Sequence, residues 1–290
     1  MRANVHTTIK SLLSEKLLLL EKKLDSDIFC YSGNIFDGIE NHILELIEEL
    51  SKDPAKRDKL TIILTTGGGS AIAVERYVNI IRHHYNTVDF IVPDYAYSAG
   101  TIFCMSGDNI YMDYFSVLGP IDPQIQNKEG KWVAALGYLD KVNDAITKSK
   151  NGELTEAEFL LIKDLDLAEL RSYEQAKELT IDLLKKWLVK YKFKNWDIHE
   201  TTPELLGQQV TLDQKIAKAE EIANKLNDNT LWKSHGRPIN IEEIKRIGLK
   251  IEDYSDKNEL RDLIREYSQV LNDYVSSNNL SIFVHTRKFI

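Results

Sequence analysis

The sequence predicts an α/β fold built on a parallel sheet, and three observations carry that prediction. Strands such as Lys59–Thr66, which is rich in β-branched residues and uncharged after its first residue, alternate with segments whose apolar residues recur at helical spacing. Buried strands that alternate with helices imply parallel pairing with helical crossovers. Two glycine-bearing turns, around Gly68 and Gly100, lie where a strand passes into a helix. Ligands of such sheets bind at these junctions, so the same turns are the first candidate site.

The predicted elements run β-α-β-α-β-α-β over residues 27–125. In order, they are strand 27–33, helix 39–50, strand 59–66, a helix opening after glycines 67–69, strand 88–94, a helix opening at 97–100, strand 109–113 and a Pro/Gly-bearing loop or edge at 116–125. The second half is helix-rich and charged, with amphipathic helices in 172–191 and 211–228. A turn, short helix and strand with a C-cap at Gly248, a helix over 256–276 and a strand-like tail complete the chain.

These elements divide into four predicted regions. They are an N-terminal amphipathic helix (1–24), a βα core (25–130 with 232–254), a helical insertion or handle (131–231), and a C-terminal helix and tail (255–290). The aromatic residues Trp187, Tyr191, Phe193 and Trp196 lie in the insertion at helical spacing, which indicates a buried seam more than a nucleic-acid surface.

Composition excludes several classes of function. The 290 residues carry a formal charge of −8, whereas a protein that binds nucleic acid needs a clustered basic surface. The apolar run Leu17–Leu20 is too short for a signal peptide or a membrane span, which predicts a soluble, cytoplasmic protein. Cys30 and Cys104 show no CxxC and lie in apolar runs, so buried free thiols are expected. The seven histidines show no metal-ligand spacing, and no metal or organic cofactor is implied.

Ser98 is the first residue singled out for chemistry. It follows an apolar strand and precedes an apolar run in "DYAYSAGTIFC", with small neighbours Ala96, Ala99 and Gly100 that leave room around its hydroxyl. A serine at a helix N-terminus gains a positive local potential, which favours an oxyanion beside it. The sequence leaves two interpretations open: an N-cap serine or a nucleophile at a strand-to-helix turn.

The stretch "TTGGGS" (65–70) is the second candidate. Three glycines at a strand end remove every side chain from the turn, so backbone N–H groups can face a substrate at close range. The stretch lacks the Gly-Lys-Ser/Thr of a phosphate-binding loop and the spacing of a dinucleotide fingerprint. It is either a tight turn only, or an oxyanion hole or peptide-binding edge.

Read together, these motifs resemble the proteolytic subunit of the Clp protease and its relatives, including signal peptide peptidase A. The "TTGGGS" turn stands where that clan has a Ser-Pro-Gly-Gly turn, and Tyr97-Ser98-Ala99-Gly100 follows at the spacing of the nucleophile turn. "LGPIDPQ" and "SHGRPINIEEIKRIGLKIED" resemble, more narrowly, the serine dehydrogenase proteinase family. The resemblance covers about residues 25–127 and 232–254, and it implies a ClpP/crotonase-like spiral of βα units with a helical insertion.

The resemblance assigns roles to named residues. Ser98 would be the nucleophile, and the N–H groups of Ala99 and of Gly68 or Gly69 would form the oxyanion hole. The chain departs from the Clp pattern at the base, because Asp122 stands where the Clp histidine lies. His235 falls where the Clp aspartate belongs, so the two types could have exchanged places, with Asp122 orienting His235 as the base. A triad is defined by geometry and not by chain order.

A lysine base is the rival interpretation, as in signal peptide peptidase A. Lys141, Lys148 and Lys150 follow Ser98 at comparable distances. A catalytic lysine must be desolvated so that its pKa falls toward neutrality, and "ITKSKNGE" indicates a solvent-facing segment for the last two.

The function implied is that of a cytoplasmic serine endopeptidase acting on a peptide or protein through an acyl-enzyme. Clan analogy adds a homo-oligomer and an unfoldase or activator as candidate partners. Two alternatives stay open: a non-catalytic scaffold that lacks a working base, and an acyl-CoA enzyme of the crotonase type.

Overall fold

The computed structural model describes residues 2–126, 132–163, 165–200 and 203–290. The strands are β1 (Asp27–Gly33), β2 (Lys59–Thr65), β3 (Thr87–Ile91), β4 (Tyr95–Ala96), β5 (Asn109–Met112), β6 (Val117–Leu118), β7 (Gln124–Gln126), β8 (Trp132–Ala134), β9 (Glu252–Asp253) and β10 (Ile282–His285). The helices are α1 (Arg2–Leu24), α2 (Glu40–Ser51), α3 (Ala71–His84), α4 (Ala99–Cys104), α5 (Ala135–Lys150), α6 (Glu156–Ile162), α7 (Leu167–Trp187), α8 (Leu212–Leu226), α9 (Asn229–Trp232), α10 (Ile241–Arg246) and α11 (Asn258–Ser277).

Six strands form the main sheet in the order β10-β1-β2-β3-β5-β9. The strands β1, β2, β3, β5 and β9 are parallel, and β10 joins the edge antiparallel to β1. The predicted parallel α/β fold and the order of its elements are therefore confirmed. The predicted strand over 88–94 is shorter, because β3 ends at Ile91 and Pro93 has no N–H with which to extend a ladder.

Both faces of the sheet are covered by helices. Alternate residues of β1 point to opposite faces, so Phe29 packs with α2 and α3 while Cys30 packs with α1 and α11. Burial on both faces explains why β2 reads as one continuous apolar run. Cys30 and Cys104 are buried and free, as predicted.

The helices α7 and α8 belong to the same core as the sheet. Leu184, Trp187, Ile222 and Leu226 are fully or almost fully buried in the cluster that contains Phe90. Trp187 and Phe193 are buried and Tyr191 and Trp196 pack partly against that cluster, which confirms the predicted aromatic seam. The helix α5 contributes mainly to a small separate cluster with Tyr173. The division into four regions stays a prediction.

A second, two-stranded ladder positions the candidate site. The strand β4 pairs in parallel with β6, and Ala96 lies opposite Leu118. Ala96 also bridges to Thr66 at the end of β2, and Leu118 bridges to Ile239 in an antiparallel sense. Segments distant in sequence therefore meet at the carboxyl end of β2. Among the described residues, no helix has the length and apolar character needed to cross a membrane.

Candidate functional site

Ser98 lies in a strained turn between β4 and α4. Its backbone angles are φ 52° and ψ −117°, and the Gly100 N–H donates to the Tyr97 carbonyl at 2.8 Å. These values place Ser98 at the first central position of a type II′ turn, which glycine normally occupies. Holding a serine there costs about 1–3 kcal/mol, which the surrounding structure must supply. Strain of this kind is concentrated at functional sites.

The side chain of Ser98 does not cap the helix that it precedes. Ser98 occupies the N-cap position of α4, yet its hydroxyl makes no capping hydrogen bond. Ser70, at the N-cap of α3, accepts the Ala73 N–H at 3.1 Å. The capping interpretation left open by the sequence is therefore wrong for Ser98.

The glycine turn packs directly against Ser98, as expected for neighbouring βα turns. A methyl group on Gly68 would lie 2.8 Å from the Ser98 Cβ and 3.5 Å from the Ala99 nitrogen. Gly68 also has a φ of 109°, which side chains rarely allow. Glycine is therefore required at this position both by its backbone angle and by contact with the Ser98 turn.

Among the backbone N–H groups near the Ser98 side chain, those of Ala99 and Gly69 have no acceptor within the described part of the chain. Ala99 opens α4, and the first N–H groups of a helix have no intrahelical partner. Gly69 bridges to Ile35 in parallel, but Ile35 bonds to the flanking residues Gly68 and Ser70. The Gly69 N–H therefore faces away from Ile35.

The Gly68 N–H is occupied, which the sequence did not reveal. It donates to the Thr66 hydroxyl at 3.0 Å. Thr66 is 1% exposed and stands at the end of β2, where a serine or threonine can bond to the N–H two residues onward. Among the glycine amides, Gly69 is accordingly better placed than Gly68 to donate to a bound group.

Asp122 and His235, 113 residues apart in sequence, form a hydrogen-bonded pair. The His235 Nδ1 and the Asp122 Oδ1 lie 2.9 Å apart. The antiparallel bridge of Leu118 to Ile239 explains the contact, because four steps onward from Leu118 face four steps back from Ile239. When Asp122 is ionised, its Oδ1 accepts a hydrogen bond from the Nδ1–H of His235. In that tautomer of a neutral His235, Nε2 carries a free lone pair.

Burial differs between the two partners. The Asp122 side chain is 2% exposed, and the His235 ring is 15% exposed, so the ring can be reached from solvent. The Asp122 Oδ2 is buried without a hydrogen-bond partner among the described residues. A buried carboxylate oxygen without a donor costs free energy, so the described residues satisfy the Asp122 carboxylate only in part.

The structure joins these residues into two groups. Ser98 contacts the glycine turn, and Asp122 contacts His235, but no hydrogen bond links the Ser98 hydroxyl to the His235 ring among the described residues. Both groups lie beyond the paired ends of β4 and β6, where Ala96 is opposite Leu118.

The three predicted lysines have different surroundings. Lys141 and Lys150 are exposed on α5. Lys148 pairs with Glu158 at 2.6 Å and Asp144 at 3.3 Å. Hydrogen bonds to those carboxylates raise the pKa of Lys148, which is the opposite of what a lysine base requires.

A desolvated lysine exists elsewhere, and sequence patterning missed it. Burial lowers the pKa of Lys192 to about 8, against the opposing charges of Glu252 and Asp89. Lys192 ends a π-helical turn (Leu188–Lys192) in a stretch that reads as the continuation of an amphipathic helix. Its carboxylate neighbours are Glu252 in β9 and Asp89 in the middle of β3, and neither belongs to the Ser98 turn.

Within the described part of the chain, no three His, Cys, Asp or Glu side chains are grouped as metal ligands. An open cavity of about 630 Å³ lies between α5 and α6. Its lining is largely apolar and includes Tyr138, Leu161, Lys141 and Lys148.

Comparisons with known proteins identify relatives of this chain. Two uncharacterised proteins of Methanocaldococcus jannaschii, MJ1495 and MJ0137, are 29% identical over 192 residues and 27% identical over 216 residues. The matches cover 66% and 74% of this chain but 51% and 61% of those proteins, so the chain spans about half to three-fifths of their length.

Solved structures with a similar fold include a mutant of the 1510-N membrane-bound stomatin-specific protease, with a TM-score of 0.46, 15% identity and 80% of each chain covered. ClpP1 from Listeria monocytogenes has a TM-score of 0.41 and 13% identity, over 83% of this chain and 99% of its own. Residues 36–202, more than half of the chain, match the family described as ClpP-like SDH-type serine proteinase. The predicted ClpP-like α/β fold is thereby confirmed, and the chain belongs to the family of ClpP-like SDH-type serine proteinases.

Proposed function

We propose that this chain is a serine endopeptidase in which Ser98 attacks the scissile carbonyl of a peptide or protein substrate. The observation that carries the proposal is the backbone of Ser98, with φ 52° at a position that favours glycine and no capping bond that would explain a serine. A small hydrophilic nucleophile held in a strained strand-to-helix turn exposes its hydroxyl to a substrate. Family membership supports the same chemistry.

The oxyanion hole would be formed by the N–H groups of Ala99 and Gly69. Both lack an acceptor among the described residues, and they belong to the two turns that meet at Ser98. Fixed donors of this kind stabilise the negative charge that develops on the carbonyl oxygen. Gly68 serves the same site by lacking a side chain, because any Cβ there would displace Ser98.

His235, held by Asp122, is the proposed general base. As the Ser98 Oγ forms its bond to the carbonyl carbon, its proton passes to the His235 Nε2. The same proton then goes to the departing amine as the C–N bond breaks, and water releases the acyl group in a second round. Since Ser98 and His235 share no hydrogen bond in this structure, the contact is expected to close when substrate binds.

Cellular location, self-association and dependence on an activator remain predictions from the sequence. Location in the cytoplasm agrees with two buried free thiols. Self-association into a homo-oligomer and dependence on an unfoldase or activator are predictions by analogy with the clan. Each needs its own test, because the chain spans only part of its curated relatives.

Labelling with a fluorophosphonate tests the proposed chemistry. The protein set is the wild type with Ser98→Ala, His235→Ala, Lys141→Ala and Ser70→Ala. We expect labelling of the wild type, none of Ser98→Ala, and a loss of roughly 1,000-fold or more in His235→Ala. Ser70→Ala is the matched control, a serine in the neighbouring turn that is occupied in capping.

Two results would overturn parts of this proposal. A loss of labelling in Lys141→Ala with full labelling of His235→Ala would move the base to the lysine. Absence of labelling in folded wild type, with or without added unfoldase, would favour the non-catalytic scaffold. Binding of coenzyme A by that unlabelled protein would favour the crotonase-type alternative.

A further inference from the structure

The Ser98 turn and the Asp122 loop must be held at a fixed separation if His235 is to serve Ser98. The short ladder between β4 and β6 ends at Ala96 and Leu118, two residues before Ser98 and four before Asp122. Beyond those points the two segments need another connection. A displacement of about 1 Å between a nucleophile and its base can reduce a rate by about 100-fold.

Thr101 supplies a connection of this kind. It lies in the first turn of α4, three residues after Ser98, and its side chain is fully buried. Its Oγ1 lies 2.7 Å from the Ala96 carbonyl oxygen and 2.9 Å from the Gly119 carbonyl oxygen, either of which can accept its proton. It also accepts the Gly119 N–H at 3.0 Å. One hydroxyl therefore joins the end of β4, the nucleophile helix and the first residue after β6.

Gly119, the residue bonded to the Thr101 hydroxyl, is also held in place by its neighbours. Gly119 lies so close to Tyr97 that a Cβ on it would collide with the Tyr97 ring. Both backbone polar groups of Gly119 are directed at Thr101, and three residues further on the chain reaches Asp122. Movement of Gly119 would accordingly be transmitted to Asp122 and to the His235 ring bonded to it.

We propose that Thr101 is a positioning residue, whose hydroxyl fixes the Asp122–His235 pair relative to Ser98. This inference rests on the proposed function. It goes beyond it by assigning a role to a buried residue outside the triad and the oxyanion hole. The methyl group of Thr101 adds packing, so the proposal concerns the hydroxyl and predicts that serine, but not valine, can replace threonine.

The test compares Thr101→Val, Thr101→Ser and Thr101→Cys in the full chain. Fluorophosphonate labelling rates and the kcat and KM of a fluorogenic peptide would be measured, with Tm as the record of folding. We expect Thr101→Val to reduce the labelling rate and kcat by roughly 10- to 100-fold with KM changed less than about threefold. Thr101→Ser should remain within about threefold of wild type.

The cysteine variant keeps the test decisive if valine prevents folding. A cysteine side chain is nearly the size of serine, but its thiol is only a weak hydrogen-bond donor and acceptor. The labelling rate of Thr101→Cys should therefore be low where that of Thr101→Ser is high. Equal rates for cysteine and serine, or wild-type labelling by folded Thr101→Val, would overturn the positioning role and leave Ser98 chemistry intact. Absence of Ser98-dependent labelling in the wild type would overturn the proposed function and this inference together.

Discussion

The amino end of the main sheet and the end of the β4–β6 ladder differ in how a buried aspartate is bonded. Beside the amino end of β1, Asp27 is fully buried and both of its oxygens are bonded. Oδ1 accepts from Arg287 at 2.6 Å, and Oδ2 accepts from the Tyr85 hydroxyl at 2.8 Å. Beyond the carboxyl end of β6, Asp122 is as deeply buried, but among the described residues its side chain bonds only to His235, through one oxygen.

The serines of two adjacent turns repeat this contrast. Ser70 has an extended backbone and caps α3, so its presence is explained by the helix that follows. Ser98 has a strained backbone and no capping bond. Residues that violate local rules without a structural benefit are concentrated at functional sites. Burial alone therefore does not distinguish the two aspartates or the two serines; the candidate site combines an unsatisfied buried oxygen of Asp122 with the strained backbone of Ser98.

Substituting each aspartate by asparagine is expected to give the largest effects on stability and on labelling. The two variants should differ in which of these quantities falls more. Asp27→Asn breaks the ion pair with Arg287, and loss of one partner of a buried pair costs about 3–5 kcal/mol of unfolding free energy. Asp122→Asn should cost less stability but reduce the labelling rate of Ser98 by roughly 10³- to 10⁴-fold, because the histidine loses its orienting carboxylate. Urea unfolding and labelling kinetics of both variants would measure this. Similar losses of labelling in both variants would show that Asp122 has no special role in the reactivity of Ser98.

A pH titration of stability should report on the buried His285 of β10. Burial and the nearby charge of Lys10 lower the pKa of His285 to about 4, and its Nδ1 accepts the Tyr267 hydroxyl at 2.9 Å. The unfolded chain binds that proton near pH 6.5, so stability is complete above pH 6.5 and falls as the pH drops toward 4. The loss is about 3 kcal/mol.

Urea unfolding between pH 7 and pH 4 measures this loss, and His285→Gln is the control. The variant should be less stable at neutral pH, and its stability should fall less steeply with acidity. A slope equal to that of the wild type would show that other groups carry the pH dependence.

Alanine substitutions at Gly68 and Gly38 test whether the glycine turn shapes the Ser98 site. Gly68 and Gly38 share a positive φ, 109° and 101°, but a Cβ on Gly38 meets nothing within 4 Å. Gly68→Ala should therefore lose about 100-fold or more of the Ser98 labelling rate, or about 2.7 kcal/mol, because the methyl group displaces Ser98. Gly38→Ala should cost about 1 kcal/mol of stability and leave labelling unchanged. If both variants label normally, Gly68 does not shape the site.

The smallest expected effect is on the stability of the two serine turns. Ser98→Gly relieves the strained backbone and should raise the unfolding free energy by about 1 kcal/mol while abolishing labelling. Ser70→Ala removes an N-cap and should lower it by about 1 kcal/mol. Thermal melting of the two variants beside the wild type measures both signs. A destabilised Ser98→Gly would mean that the serine has a structural role after all.

Local patterns in the sequence predict the secondary structure, the two turns and the family of this protein. The order of strands and helices, the turns at Gly68 and Ser98 and the buried thiols could be predicted, because strand burial and helical spacing depend on neighbours in sequence. The short motifs around Ser98 also indicated the family that residues 36–202 match. The exchange of residue types between Asp122 and His235 was a hypothesis from motif position, and the 2.9 Å contact supplies its geometry.

Three features of the candidate site depend on the tertiary structure: how Ser98 is held, that the Gly68 amide is already bonded, and how Asp122 and His235 meet. Ser98 follows a strand, β4, that pairs with β6 and bridges to Thr66 after β2, and those partners lie far from Ser98 in sequence. The Gly68 amide is taken by Thr66, and Thr101 reaches Gly119 across a ladder that joins two distant segments. Hydrogen bonds between residues far apart in sequence leave no periodic pattern, because they depend on the folded arrangement of the chain and not on local spacing.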